Sequence, residues 1–101
     1  MLIDILGKDD VLCASFYSDL HFETSRQIEE ELAKFQLPNE IKKVIIDFSR
    51  VRFVDSSGIS LLLKWIHPMT TKASVELVHV SEPVHNILKI CKIDQFAAIK
   101  S

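Results

Sequence analysis

Apolar residues along this chain change their spacing several times, and each change predicts an element. Leu2, Ile3, Ile5 and Leu6 form a first short apolar stretch, and Val11-Leu12-Cys13-Ala14-Ser15-Phe16 forms a second. Gly7-Lys8-Asp9-Asp10 between them is polar and turn-forming, so two strands joined by a four-residue turn are expected. The spacing then lengthens. Ile28, Leu32 and Phe35 make one helical stripe, with Gln27, Glu30, Glu31 and Lys34 around it. Thr24 or Ser25 is placed to cap its start, and Pro38-Asn39 ends the segment. A stripe this narrow predicts a helix that covers a sheet with one side and meets water with the other.

Lys43-Val44-Ile45-Ile46-Asp47-Phe48 is the clearest strand. Three consecutive β-branched residues are expected of a strand covered on both faces, as in a parallel sheet. Val51-Arg52-Phe53-Val54 then leads into Asp55-Ser56-Ser57-Gly58, and helical spacing follows to about Met69. Ile59, Leu62, Leu63, Ile66 and Met69 form its core side, opposite Ser60, Lys64 and His67, and Pro68 stops or kinks it. Val75, Leu77, Val78 and Val80 mark another strand, and Glu82-Pro83 opens a third helix whose buried face is Val84, Ile87, Leu88 and Cys91. Phe96-Ala97-Ala98-Ile99 is a last short strand or tail. The order β-β-α-β-α-β-α-β predicts an α/β fold, with helices layered on a largely parallel sheet. Short connections and the lack of repeats or linkers predict one compact domain over residues 1–101.

Composition narrows the function. The chain has 101 residues, 48% of them apolar and 26% charged, enough for a core but too few for a catalytic barrel. Lys and Arg number 12 against 14 Asp and Glu, a formal charge of -2, so no general field attracts nucleic acid or anionic lipid. Cys13 and Cys91 are too few for a disulfide scaffold and lack metal-ligand spacing, which makes a reducing, cytoplasmic setting the default. Both are expected to be buried small hydrophobes. The N-terminal stretch does not read as a signal peptide, and no run approaches the roughly 18 apolar residues of a membrane span.

The chemistry concentrates at Val54-Asp55-Ser56-Ser57-Gly58, where a strand and loop hand over to a helix. Free N–H groups and the positive end of the helix dipole suit an anion there. Two hydroxyls offer nucleophile or phosphoacceptor chemistry, and Gly58 leaves room for another backbone. A plain cap at Asp55 or Ser56 explains the same residues. A hydrolase set of Ser57 with Asp55 and a histidine lacks the Gly-x-Ser-x-Gly pattern, and no phosphate-binding glycine loop or zinc spacing occurs, so no cofactor is implied. Glu29-Glu30-Glu31 reads as a solvated helix face, and otherwise as a steering patch for a basic partner. Leu61 and Trp65 lie at the edge of the helical stripe. Either that stripe is wide and buried, or they form an exposed apolar rim beside Ser57, with Phe22 in the adjacent loop, suited to a partner.

The run from Ile46 to Ile59 resembles the signature of STAS domains, and within them the bacterial anti-sigma factor antagonists; the similarity extends over nearly the whole chain. Thr24 stands where such proteins often open their first helix, and Glu82-Pro83-Val84 is similar to their "S-P-x-V" pattern. The resemblance implies a STAS-type sheet, largely parallel with an antiparallel N-terminal edge strand. It implies a non-enzymatic regulatory module in which Ser57 is the phosphoacceptor, supported by Asp55, Ser56 and Gly58. Its partners would be an anti-sigma factor serine kinase and a serine phosphatase; the partner surface expected for them combines His21 and Thr24 with the rim of Phe22, Leu61 and Trp65 read from the helical spacing. Ser18 and His21 depart from the glycine and aspartate common at those places, which changes the charge of that surface. Small STAS subunits of phospholipid-transport ABC systems share the Asp-Ser-Ser-Gly motif, and in that alternative the chain docks on a transport ATPase.

Overall fold

A computed structural model describes residues 1–101. Strand β1 (Ile3–Lys8) pairs antiparallel with β2 (Val11–Phe16), with Lys8 opposite Val11. The turn is therefore two residues, Asp9-Asp10, rather than four. Asp9 takes a left-handed φ of 56°, as the first centre of a tight hairpin turn requires. Helix α1 (Phe22–Leu32), β3 (Lys43–Asp47), α2 (Ser56–Met69), β4 (Ser74–Val78), α3 (Glu82–Ile90), a short 3-10 turn (Ile93–Gln95) and β5 (Ala98–Ile99) follow. The strands lie side by side in chain order, and every pair after the first is parallel.

That order fixes where the core sits. Each crossover from β2 to β3, β3 to β4 and β4 to β5 steps the same way across the sheet. Right-handed crossovers that never reverse direction put all their helices on one face. Burial agrees: Leu12, Ala14, Phe16, Val44, Ile46, Val75 and Leu77 point into the core, while the alternate residues Cys13, Ile45 and Glu76 do not. Ile45 is thus half-buried on a bare face, which corrects the expectation that β3 is covered on both sides. Cys13 is exposed there for the same reason, and Cys91 is exposed because it lies at the C-terminal cap of α3, so neither cysteine is buried.

Two helix boundaries also move. α1 starts at Phe22, with His21 rather than Thr24 or Ser25 at its cap, and ends at Leu32, short of Pro38. Phe35 and Leu37 still pack on the core, but from the loop that follows. Glu31 is no solvated acid. Its carboxylate accepts from the Leu2 and Ile3 N–H groups at 3.1–3.3 Å and ties α1 to the edge strand.

Leu61 and Trp65 lie within the core, at 2% and 9% exposure. Helix α2 packs on the sheet and on α1 together, so its apolar face is wide. The Trp65 ring meets Phe16 edge-on at 5.8 Å, and Phe16 meets Phe48 likewise at 5.4 Å. The exposed-rim assignment of Leu61 and Trp65 as partner-binding residues is therefore incorrect.

Candidate functional site

Beyond the ends of β2 and β3 the chain runs through two loops that pair with each other. Leu20 N–H donates to Phe53 O at 2.9 Å, and Asp55 N–H donates to Leu20 O at 3.0 Å, forming a parallel bridge between Leu20 and Val54. Asp19 reinforces the pairing, because its Oδ1 accepts from Arg52 N–H at 2.7 Å and Phe53 N–H at 3.2 Å. Thr24 holds the start of α1: its hydroxyl donates to Asp19 O at 2.6 Å and accepts from His21 N–H at 3.0 Å.

This pairing brings the first turns of α1 and α2 together, and one carboxylate spans them. Asp55 Oδ1 accepts from Gly58 N–H at 3.0 Å and so caps α2. Asp55 Oδ2 accepts from Phe22 N–H at 3.1 Å, in the first turn of α1. Both helix starts carry positive dipole ends, and the single negative charge answers both.

Gly58 is where the loops come closest. A Cβ there would lie 2.5 Å from Leu20 O, 2.7 Å from Leu20 Cβ and 2.8 Å from a Val54 methyl. The glycine thus permits backbone contact across the site, as its place in the sequence suggests.

Ser56 and Ser57 occupy the first two positions of α2, ahead of the first intrahelical bond from Ile59 N–H to Asp55 O. Ser56 is exposed and Ser57 half-buried. Their N–H groups have no acceptor within the protein, as at any helix start. Beside them stand two exposed rings, Phe22 at 57% and Phe53 at 52%. Arg26 lies over the Phe22 ring at 5.7 Å.

The structure therefore gathers Asp55, Ser56, Ser57, Gly58, His21, Phe22 and Thr24, and leaves Leu61 and Trp65 out. Those two instead line a groove of about 980 Å³ with Phe35, Pro68 and Met69, toward the C-terminal ends of α1 and α2. Asp19 and Phe53 were missed from sequence. Asp19 had no local signal, because the N–H groups its carboxylate accepts lie 33 and 34 residues away. Phe53 had no local signal, because its exposure follows from the pairing of the two loops. No cluster of three or more His, Cys, Asp or Glu side chains is disposed to hold a metal ion.

A sheet wound in one direction, with two helix starts clasped by an Asp-Ser-Ser-Gly turn, defines a small α/β class. The chain belongs to the STAS domain family, whose model matches residues 3–101. It is similar to the anti-sigma-factor antagonist (STAS) domain protein of Planctomyces limnophilus, with 27% identity over 98% of this chain and 89% of that one and a TM-score of 0.82. A Thermotoga maritima protein provisionally assigned as an anti-sigma factor antagonist shares 18% identity over 98% of this chain and 86% of its own, with a TM-score of 0.81. The Bacillus cell fate determinant SpoIIAA in its phosphorylated form shares 15% identity over 98% and 91%, with a TM-score of 0.66. At those identities the last two share the fold.

Proposed function

We propose that this chain is a non-enzymatic binding module of the anti-sigma factor antagonist type, acting as one domain in the cytoplasm and switched by phosphorylation of Ser57. The observation that carries the reading is the position of Ser57: a half-buried hydroxyl in the first turn of α2, beside free N–H groups and two exposed phenylalanines. A serine kinase transfers a phosphoryl group from ATP to Ser57 Oγ, the hydroxyl proton passes to the kinase, and ADP leaves. A serine phosphatase hydrolyses the phosphoester: water attacks phosphorus, the bond to Ser57 Oγ breaks, the serine hydroxyl regains a proton and inorganic phosphate leaves. The phosphorylated form of the similar Bacillus SpoIIAA supports the same scheme.

The physics of the site accommodates it. Phosphate adds about −1.5 to −2 charge at neutral pH. The helix start tolerates that charge inside the protein. A partner seated on Phe22 and Phe53 does not, because it must desolvate the dianion beside the Asp55 carboxylate. Binding is then lost without unfolding.

The test is affinity capture of the partner kinase from the native cell, incubation of the chain with that kinase and ATP, and site mapping. Ser57→Ala should abolish the modification and keep the fold and partner binding, since even a lost cap costs only about 0.5–2 kcal/mol. Ser56→Ala should still be modified. Phosphate on Ser56 alone would overturn the assignment. No modification at either serine, with a stable complex to a transport ATPase, would establish the docking-subunit alternative instead.

A further inference from the structure

The sheet face that no helix covers carries an ordered pattern. Three cross-strand rows lie on it, read from the pairing register. Asp4, Ser15, Asp47 and Val78 form the row nearest the Ser57 end. Leu6, Cys13, Ile45 and Glu76 form the middle row. Lys8, Val11, Lys43 and Ser74 form the far row. Across β1, β2 and β3 the face therefore runs from acidic through apolar to basic. Leu6 in the middle row is 68% exposed, and Cys13 beside it is exposed as well. Parallel strands are ordinarily covered on both faces, which makes a bare one an unpartnered surface.

We propose that this face is a self-association surface whose occupant is a second copy of the chain, packed sheet to sheet about a two-fold axis along the Leu6-Cys13-Ile45 row. Rotation about that axis reverses the strand direction and leaves each strand facing itself. The acidic row of one copy then lies over the basic row of the other: Asp4 over Lys8 and Asp47 over Lys43, each twice. The apolar row packs on itself, with the two Cys13 side chains meeting on the axis. Glu76, at the β4 end of the middle row, stands over its own copy and is answered within each chain by Lys43 at 2.7 Å and Lys100 at 3.0 Å. No other rotation of the face pairs the four charges of β1 and β3, and this self-complementarity identifies the partner. Four strands at about 4.8 Å spacing and six residues at about 3.3 Å make a patch of roughly 400 Å² in projection on each copy. That is small for a specific interface, so the dimer is weak and concentration-dependent. The Ser57 sites stay open at its two opposite ends, and the inference stands independently of what happens at Ser57.

Sedimentation of the full chain from micromolar to sub-millimolar concentration tests it at low salt. Asp4 and Lys8 are both exposed on the edge strand, so changing them spares the fold. Asp4→Lys alone and Lys8→Glu alone should each weaken the dimer about tenfold, by setting like charges face to face. An equimolar mixture of the two variants should recover association, because unlike charges then meet at both ends. Facing sheets stand about 10 Å apart, too far for a relaxed disulfide between the two Cys13 residues. Dibromobimane should nevertheless bridge them in a Cys91→Ser background and fluoresce, and Cys13→Ser should abolish the signal. A chain that stays monomeric throughout overturns the proposal. So does a dimer indifferent to both charge changes, a mixture no better than its components, or a dimer that bimane does not bridge. Monomer in which Asp4→Lys instead weakens capture of a kinase or ATPase would assign the face to that partner.

Discussion

Gly58 and Trp65 show how differently single residues carry this fold. At Gly58 the constraint is space. A methyl group there meets backbone and Cβ atoms rather than a yielding side-chain tip, so the loops must part. Gly58→Ala should lower stability by about 1–3 kcal/mol, read as a shift in the denaturation midpoint at unchanged slope. It should also loosen the start of α2. At Trp65 the constraint is filling. Trp65→Ala should cost about 3–5 kcal/mol and leave partner affinity of the folded fraction unchanged. Phe22→Ala and Phe53→Ala should do the reverse, shifting stability by no more than about 0.5 kcal/mol while weakening partner capture. The motif around Ser57 was legible in the sequence because a cap, a hydroxyl pair and a glycine are local features. The burial of Leu61 and Trp65 was not, because a helical wheel shows the centre of a face and not how far a second helix extends it.

At the scale of elements, β3 is the instructive case. Val44-Ile45-Ile46 is uniformly apolar, yet Val44 and Ile46 face the core and Ile45 faces outward. Ile46→Ala should cost about 2–5 kcal/mol, and Ile45→Ala about 1 kcal/mol or less at concentrations where the chain is monomeric. Equal losses in thermal or chemical denaturation would mean the outer face is covered within the monomer. The strand itself was legible from its β-branched run. Which of its faces lies bare depends on three crossovers stepping in one direction, a property of the strand order that no window of sequence contains. The position of Cys13 follows from the same cause, whereas the order of strands and helices was readable from spacing alone.

At the scale of the molecule, two carboxylates link elements distant in sequence and set its acid response. Burial pushes the Glu31 carboxyl up, but the N–H groups of Leu2 and Ile3 and the Gln27 amide outweigh it and hold it below the ordinary 4.5. The Glu76 carboxyl is also lowered, first by its bond to Lys43 at 2.7 Å and then by Lys100 at 3.0 Å, joining β3 and β4 to the residue that follows β5. Both groups are more acidic folded than unfolded. Their stabilisation is complete above the unfolded value and drains away as pH falls below about 4.5 through the folded values. Denaturation midpoints measured across that range should therefore fall with acid. Glu31→Gln should flatten the fall, and Glu31→Gln combined with Glu76→Gln should flatten it further. A slope unchanged in the double variant would place the acid sensitivity in other carboxylates.

The clasp made by Asp55 also limits what substitution can try at that position. Both of its oxygens accept N–H groups from different helices. Asparagine has nearly the same shape but only one oxygen. Whichever way its amide turns, one helix start meets an NH2 group, donor against donor. Glutamate keeps two oxygens but sets them one methylene farther from the backbone that aims them. Drift through near neighbours is thus closed at a residue that is only partly buried, and descendants of this chain must keep the aspartate or rebuild the junction of α1 and α2 together.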